Sequence, residues 1–315
     1  MSTSGSRKRS TKPTRRRRTF ASAVISTKGL TKHFGPVKAV QDLDLQVRRG
    51  EIFGYLGPNG AGKTTTIRLL LDFLRPTKGD VTILGTSPKD AQLRRRIGYM
   101  PSDLNLDPKY TGNDVFSFFG SLRGSVDATW IKDLLERFDL DPTRPYRQLS
   151  SGNRRKVGIV QAFMHRPELL ILDEPTSGLD PLLQFEFHKL VREAVQDGAT
   201  VLLSSHVLPE VEQLADRVAI LRKGKVVKLG TMGQLRRQAR QRIDVYFDQK
   251  VDPKPFRLIP EVVEATTVNR TVRLVVEGTV ERVLRTAARL HAHRIVSPEA
   301  DLEDVFLSYY EGRDK

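Results

Sequence analysis

Three short stretches hold the residues best suited to chemistry. Gly57-Pro58-Asn59-Gly60-Ala61-Gly62-Lys63-Thr64-Thr65 fits the pattern G-x-x-x-x-G-K-[ST]. In such a loop the glycines let backbone N–H groups approach phosphates, and the helix that follows adds free donors and a favourable dipole. Lys63 is placed to reach the β- and γ-phosphates, and the Thr64 hydroxyl to ligate Mg²⁺. The apolar run Leu169-Leu170-Ile171-Leu172 ends in Asp173-Glu174, and parallel sheets bind their ligands at such C-terminal strand ends. Asp173 can hold Mg²⁺ through water, and Glu174 can activate an attacking water as general base. His206, in LLSSHVL, follows the next apolar run; an imidazole there can bridge phosphate, water and Glu174. Taken singly, the acids could cap a helix and the histidine could be structural. Beside a phosphate loop they read as the parts of a nucleoside triphosphatase.

A fourth stretch has donors but no anion of its own. Ser150-Ser151-Gly152 opens a basic helix, with Ser150 a natural N-cap. Its free amides could bind a phosphate, yet the chain has one nucleotide loop, already supplied. Such a second anion site argues for service to another subunit.

The elements that must position these residues are legible as an alternation of apolar runs and helical patterns over residues 24–235, an α/β domain with a largely parallel sheet. Strands are predicted at 51–56, 169–173 and 201–204, helices at 64–73, 182–195 and 208–214, and a hairpin at 217–221 and 225–229. Between about 103 and 149 the strand pattern disappears, and helices over 114–122 and 127–138 predict a helical insert. A polar, basic linker helix is expected at 234–241. A small α+β accessory domain over 236–315 follows, with strands at 243–247 and 272–276, a helix at 280–290, and a last helix at 301–310 capped by Asp301.

Composition narrows the class further. The 315 residues are 38% hydrophobic and 29% charged, ordinary for a globular chain. No run approaches the ~18 apolar residues of a membrane span, and the N-terminus lacks an apolar signal core, so a cytoplasmic protein is expected. The absence of cysteine excludes disulfides and thiolate metal sites. Of the net charge of +16, eight positives (Arg7, Lys8, Arg9, Lys12 and Arg15 to Arg18) crowd an acid-free start. Residues 1–22 are therefore expected to form a disordered basic tail, either simply solvated or drawn to anionic lipid headgroups. Nucleic acid is the weaker expectation, because no aromatic residues alternate with these cations as a stacking platform requires.

Residues 24–235 resemble the nucleotide-binding subunit of an ABC transporter: P-loop, signature helix (LSSGN), Walker B strand, D-loop (Ser177 to Asp180) and switch histidine occur in order. The resemblance implies ATP and Mg²⁺ as ligands. It implies a head-to-tail dimer, with itself or with a sister subunit, in which Ser150 and Gly152 of one protomer close on ATP held by the other. It assigns Phe34, in KHFG, to stack on adenine, and Asp180 to communicate across the dimer. It gives the helical insert to a membrane permease, placing the chain on the cytoplasmic face of the membrane. The ending PEADLEDVFLSYYEG is similar to that of ATPase subunits of drug- and antibiotic-type (ABC-2) exporters. Two positions depart from the pattern. The family's Q-loop glutamine is missing near Ser102 in IGYMPSD, where Asp103 is a candidate substitute at the metal, and Asn153 replaces the last signature glutamine. Both bear on hydrolysis rate and coupling rather than on ATP binding. A soluble relative acting on nucleic acid is the alternative. Against it stand the single P-loop and the mere 110 residues between Lys63 and Asp173, too few for a long coiled-coil insert.

Overall fold

The computed structural model describes residues 23–124, 126–238 and 241–297, together with Phe306 and Tyr309. Its centre is a six-stranded sheet of β3 (Ile52–Leu56), β5 (Ile97–Met100), β6 (Leu169–Asp173), β7 (Thr200–Ser205), β8 (Arg217–Arg222) and β9 (Lys225–Thr231), in the order β5-β6-β7-β3-β8-β9. The first five run parallel, and β9 returns antiparallel as the predicted hairpin. Asp173 pairs with Ser204 and Leu56 with Ser205, so β3, β6 and β7 end flush along one edge.

Alternation along these strands fills two cores, because successive side chains point to opposite faces. Leu170, Leu172, Val201 and Leu203 pack with the helices α2 (Gly112–Arg123), α3 (Ala128–Arg137), α4 (Ser151–Phe163) and α5 (Pro181–Gln196). Leu169, Ile171, Leu202, Phe53 and Tyr55 face α1 (Lys63–Leu70) and a separate antiparallel sheet. That second sheet, β1 (Ala23–Phe34), β2 (Val37–Arg48) and β4 (Lys78–Ile83), is ordered β2-β1-β4. Its long alternating strands are half-buried, so they lack the continuous apolar runs that announce parallel strands.

At the end of the central sheet, α6 (Leu208–Leu214) and α7 (Met232–Gln238) cover Leu56, Val218 and Ile220. Gly54 makes room for α6, since a Cβ there would lie 2.4 Å from Val211 Cγ1. Phe306, near the C-terminus, is buried in this same cluster. Residues 241–296 form a four-stranded antiparallel sheet with its own core around Val245, Phe256 and Leu274. It comprises β10 (Gln241–Tyr246), β11 (Val262–Val268), β12 (Thr271–Val276) and β13 (Arg294–Val296), ordered β11-β12-β10-β13, with α8 (Lys254–Arg257) and α9 (Glu281–Arg289).

Several boundaries differ from the sequence expectation. Helix α1 stops at Leu70 rather than 73, because Asp72 turns left-handed at φ 58°. The linker helix ends at Gln238, and Gln241 already belongs to β10. Strands β11 and β13 were not anticipated; both are sheet edges, largely exposed, and carry little apolar alternation. The expectations for residues 1–22 and for most of a helix at 301–310 lie outside the described residues; within 301–310 the described residues, Phe306 and Tyr309, are helical.

Candidate functional site

The flush edge of β3, β6 and β7 brings the chemical residues together. The P-loop leaves β3 and enters α1 through Gly62, whose left-handed φ of 107° and contact with the Ala39 carbonyl suit only glycine. No side chain caps α1, so the donors of its first turn keep no side-chain partner. Lys63 is buried and folds back onto the loop, donating to the Gly57 carbonyl at 2.6 Å and the Pro58 carbonyl at 3.3 Å. Its Nζ also lies 3.1 Å from Glu174 Oε1.

Asp173 is completely buried at the end of β6. One carboxylate oxygen accepts the Thr64 hydroxyl at 2.9 Å, and the other accepts the Ser204 hydroxyl. Two hydroxyl donors offset the desolvation of that charge. The same charge, after burial, helps push the neighbouring Tyr99 phenol up to about 12. Glu174 adopts φ 52°, a left-handed turn that swings it off the strand. Its N–H is held by the Ser204 carbonyl at 3.1 Å. His206 Nδ1 sits 2.7 Å from Glu174 Oε2, while Oε1, though buried, makes no hydrogen bond. Lys63, Thr64, Asp173, Glu174 and His206 thus form one contiguous cluster.

The remaining residues lie around or apart from it. Phe34 ends β1 with its ring 45% exposed and the Lys32 ammonium 5.0 Å from the ring centroid. Core packing therefore does not account for it. The start of β2 reaches the P-loop through Ala39, whose carbonyl abuts Gly62 and Gly224. Ser150 caps α4 by accepting the Asn153 N–H at 3.2 Å, and it and Ser151 are exposed. Gly152 faces its own D-loop, with a Cβ there 3.4 Å from the Gly178 carbonyl. Asp180 caps α5 by accepting the Leu183 N–H at 3.0 Å.

Asp103 is not joined to Thr64 or Asp173. It is exposed at a cleft of about 660 Å³, lined also by Leu71, Phe73, Tyr99 and Phe119. Ser102 acts through its backbone instead: its carbonyl accepts Arg155 Nη1 at 2.8 Å, and Arg155 Nε reaches the Ser177 carbonyl at 3.1 Å. One guanidinium therefore links the position of the missing glutamine, the D-loop and α4. Arg155 was not singled out from sequence, because a helix rich in Arg and Lys offers no mark of which cation turns inward.

A P-loop followed by a strand-end Asp-Glu pair on a parallel sheet defines a P-loop nucleoside triphosphatase. Residues 40–177 match the ABC transporter family. The chain is 41% identical to the daunorubicin resistance ATP-binding protein DrrA3 of Streptomyces coeruleorubidus, over 72% of its own length and 74% of that protein. It is 33% identical to the bacitracin transport ATP-binding protein BcrA of Enterococcus faecalis, over 90% of its length and 95% of the relative. The dimeric structure of the bacterial cassette MJ0796 superposes with a TM-score of 0.60 at 25% identity, covering 66% of this chain and 98% of that one. The chain belongs to the ABC transporter family, as an ATP-binding and ATP-hydrolysing subunit. Among the described residues no helix is long and apolar enough to cross a membrane.

Proposed function

We propose that this subunit powers export of a drug-, antibiotic- or lipid-like substrate through a separately encoded permease, closing as a dimer over ATP and reopening on hydrolysis. The observation that carries the reading is the convergence of Lys63, Thr64, Asp173, Glu174 and His206 at one sheet edge. The likeness to a bacitracin transport subunit, which covers 90% of this chain, supports the exporter type.

The donor set fits Mg²⁺. The Thr64 hydroxyl and Asp173 carboxylate present two hard oxygens to one point. No cluster of three acidic or histidine ligands occurs among the described residues, as suits an ion bound largely by phosphates and water. When bound, Mg²⁺ would neutralise charge on the transferred phosphoryl group. The uncapped first turn of α1 receives phosphate oxygens, and Lys63 exchanges its loop carbonyls for them. Glu174 takes a proton from the attacking water: His206 fixes Oε2, and Oε1 is released to the water when Lys63, now 3.1 Å from it, turns to phosphate. Phe34 stacks on adenine. Exposed Ser150 and half-buried Gly152, at the start of α4, close on the nucleotide of a partner, and Asp180 signals across that junction.

The cleft beside the helical insert, apolar inside and rimmed by Arg94 and Arg123, receives a helix of the permease. The basic start of the chain adds attraction to anionic headgroups of ~1 kcal/mol per cation. Glu174→Gln tests the reading: turnover should fall by about 10³-fold while ATP stays bound and the chain is trapped as a dimer. Native-like hydrolysis in that variant would remove Glu174 as the base.

A further inference from the structure

Behind Glu174 and His206 lies a polar cavity of about 320 Å³, lined by both and by Thr176, His188 and Glu210. Glu210, on the first turn of α6, is a buried acid to which the scheme above gives no task. Its Oε1 accepts the Thr176 hydroxyl at 2.8 Å, and its Oε2 accepts the Ser205 hydroxyl at 2.5 Å. These two partners stand at telling places in the chain. Thr176 is two residues beyond Glu174, and Ser205 immediately precedes His206. The Thr176 carbonyl also holds the Leu179 N–H at 3.0 Å, and the Ser205 hydroxyl accepts the Val207 N–H at 2.9 Å, closing the turn around His206.

A buried carboxylate is a poor choice for stability alone, since apolar groups of the same volume often serve as well. Burial indeed pushes the Glu210 carboxyl up, and the Ser205 and Thr176 hydroxyls pull it back. What this acid supplies that an apolar side chain cannot is a two-pronged acceptor joining the loop of Glu174 to the loop of His206. Its reach depends on α6 lying close against β3, where Gly54 leaves room.

We propose that Glu210 is a positioning residue: by clamping Thr176 and Ser205 it holds Glu174 and His206 at their 2.7 Å separation. The inference rests on the reading of Glu174 as the base. The clamp acts on the catalytic step and not on nucleotide binding, because Glu210 holds the Thr176 and Ser205 hydroxyls, whereas the P-loop meets Ser205 through its backbone carbonyl, which accepts the Gly57 N–H at 3.2 Å.

The test measures steady-state ATPase kinetics and thermal midpoints of the full chain carrying Glu210→Gln, Thr176→Val or Thr176→Ser, beside Glu174→Gln. Glu210→Gln and Thr176→Val should each lower kcat about tenfold or more, as a small misplacement of reacting groups does, with KM for ATP within about twofold. Thr176→Ser, which restores the hydroxyl, should return kcat to within about threefold of native. The clamp is overturned by native kcat in both Glu210→Gln and Thr176→Val, by losses confined to KM, or by a serine variant no better than valine. Thr176→Val is close in shape to threonine, so it remains readable if the Glu210 variant folds poorly. An inactive Glu174→Gln beside native kcat in both Glu210→Gln and Thr176→Val sinks the clamp alone; an active Glu174→Gln sinks the base itself.

Discussion

Two helices of this chain begin with free donors, and their surroundings are opposite. Helix α1 starts at a left-handed glycine with no side-chain cap, and Lys63, Thr64, Asp173 and Glu174 crowd around it. Helix α4 starts at Ser150, which caps it with its own hydroxyl; Ser150 and Ser151 are exposed and the rest of the first turn is half-buried. The first arrangement leaves its helix start without a side-chain cap beside a buried cation and two acids. The second is self-sufficient as a helix, so its glycine and serines do not serve stability alone. Similar donors at two helix ends thus sit in different settings, and the proposed function makes one a binding site and the other a mating surface.

The comparison can be broken most severely at Asp173. Asp173→Asn keeps the shape but removes the charge shared by Thr64 and Ser204, and turnover should fall about 10³-fold with a raised Mg²⁺ requirement. Steady-state ATPase assays across Mg²⁺ concentrations measure this; unchanged Mg²⁺ dependence would remove Asp173 from the metal. At α4, Gly152→Asp separates helix from site. An acid at the second helical position favours the dipole, so the thermal midpoint should hold or rise. Turnover should nevertheless drop about 10²-fold, because a carboxylate then meets phosphate across the dimer. Native activity in that variant would argue that α4 never approaches nucleotide.

The far end of α4 offers a contrast with its exposed start. His165, just beyond it, contacts Ile97 O at 3.2 Å and Arg123 Nη1 at 3.0 Å. Burial first, then the Arg123 charge, holds its pKa down to about 4, against ~6.5 in an unfolded chain. The unfolded state therefore binds the proton first as pH falls, and the native state loses stability between pH ~6.5 and ~4. Urea titrations at pH 7 and pH 5 should differ by about 2 kcal/mol from this group alone, and His165→Gln should remove that difference. Equal pH dependence in the variant would place the acid sensitivity elsewhere. The smallest effect belongs to the rim of the α1 site. Phe34→Ala should raise the KM for ATP about tenfold through lost stacking, with kcat little changed; an unmoved KM would return Phe34 to the surface.

Much of the site was legible because its parts are local. A P-loop is nine consecutive residues, and Asp173-Glu174 closes one uninterrupted apolar strand, so spacing along the chain already implies geometry. Asp103 shows where such reasoning stops. Adjacent to Ser102 in sequence, it points to the cleft beside the helical insert, while Arg155, from another element, takes the Ser102 carbonyl. The edge strands β11 and β13 escaped for a different reason: largely exposed, they carry little hydrophobic alternation to read.

The sequence by itself determined the phosphate loop, the paired acids, the histidine behind the next strand and the alternation of the α/β core, because each follows from neighbours in the chain and a fixed period. Only the tertiary structure decided that Asp173 is shared by Thr64 and Ser204, that Arg155 spans three segments, and that Glu210 ties Thr176 to Ser205. Those pairings join residues 5 to 109 positions apart. Hydrogen-bond partners across such distances are set by how strands register and helices pack, and the chain's local order does not contain that register.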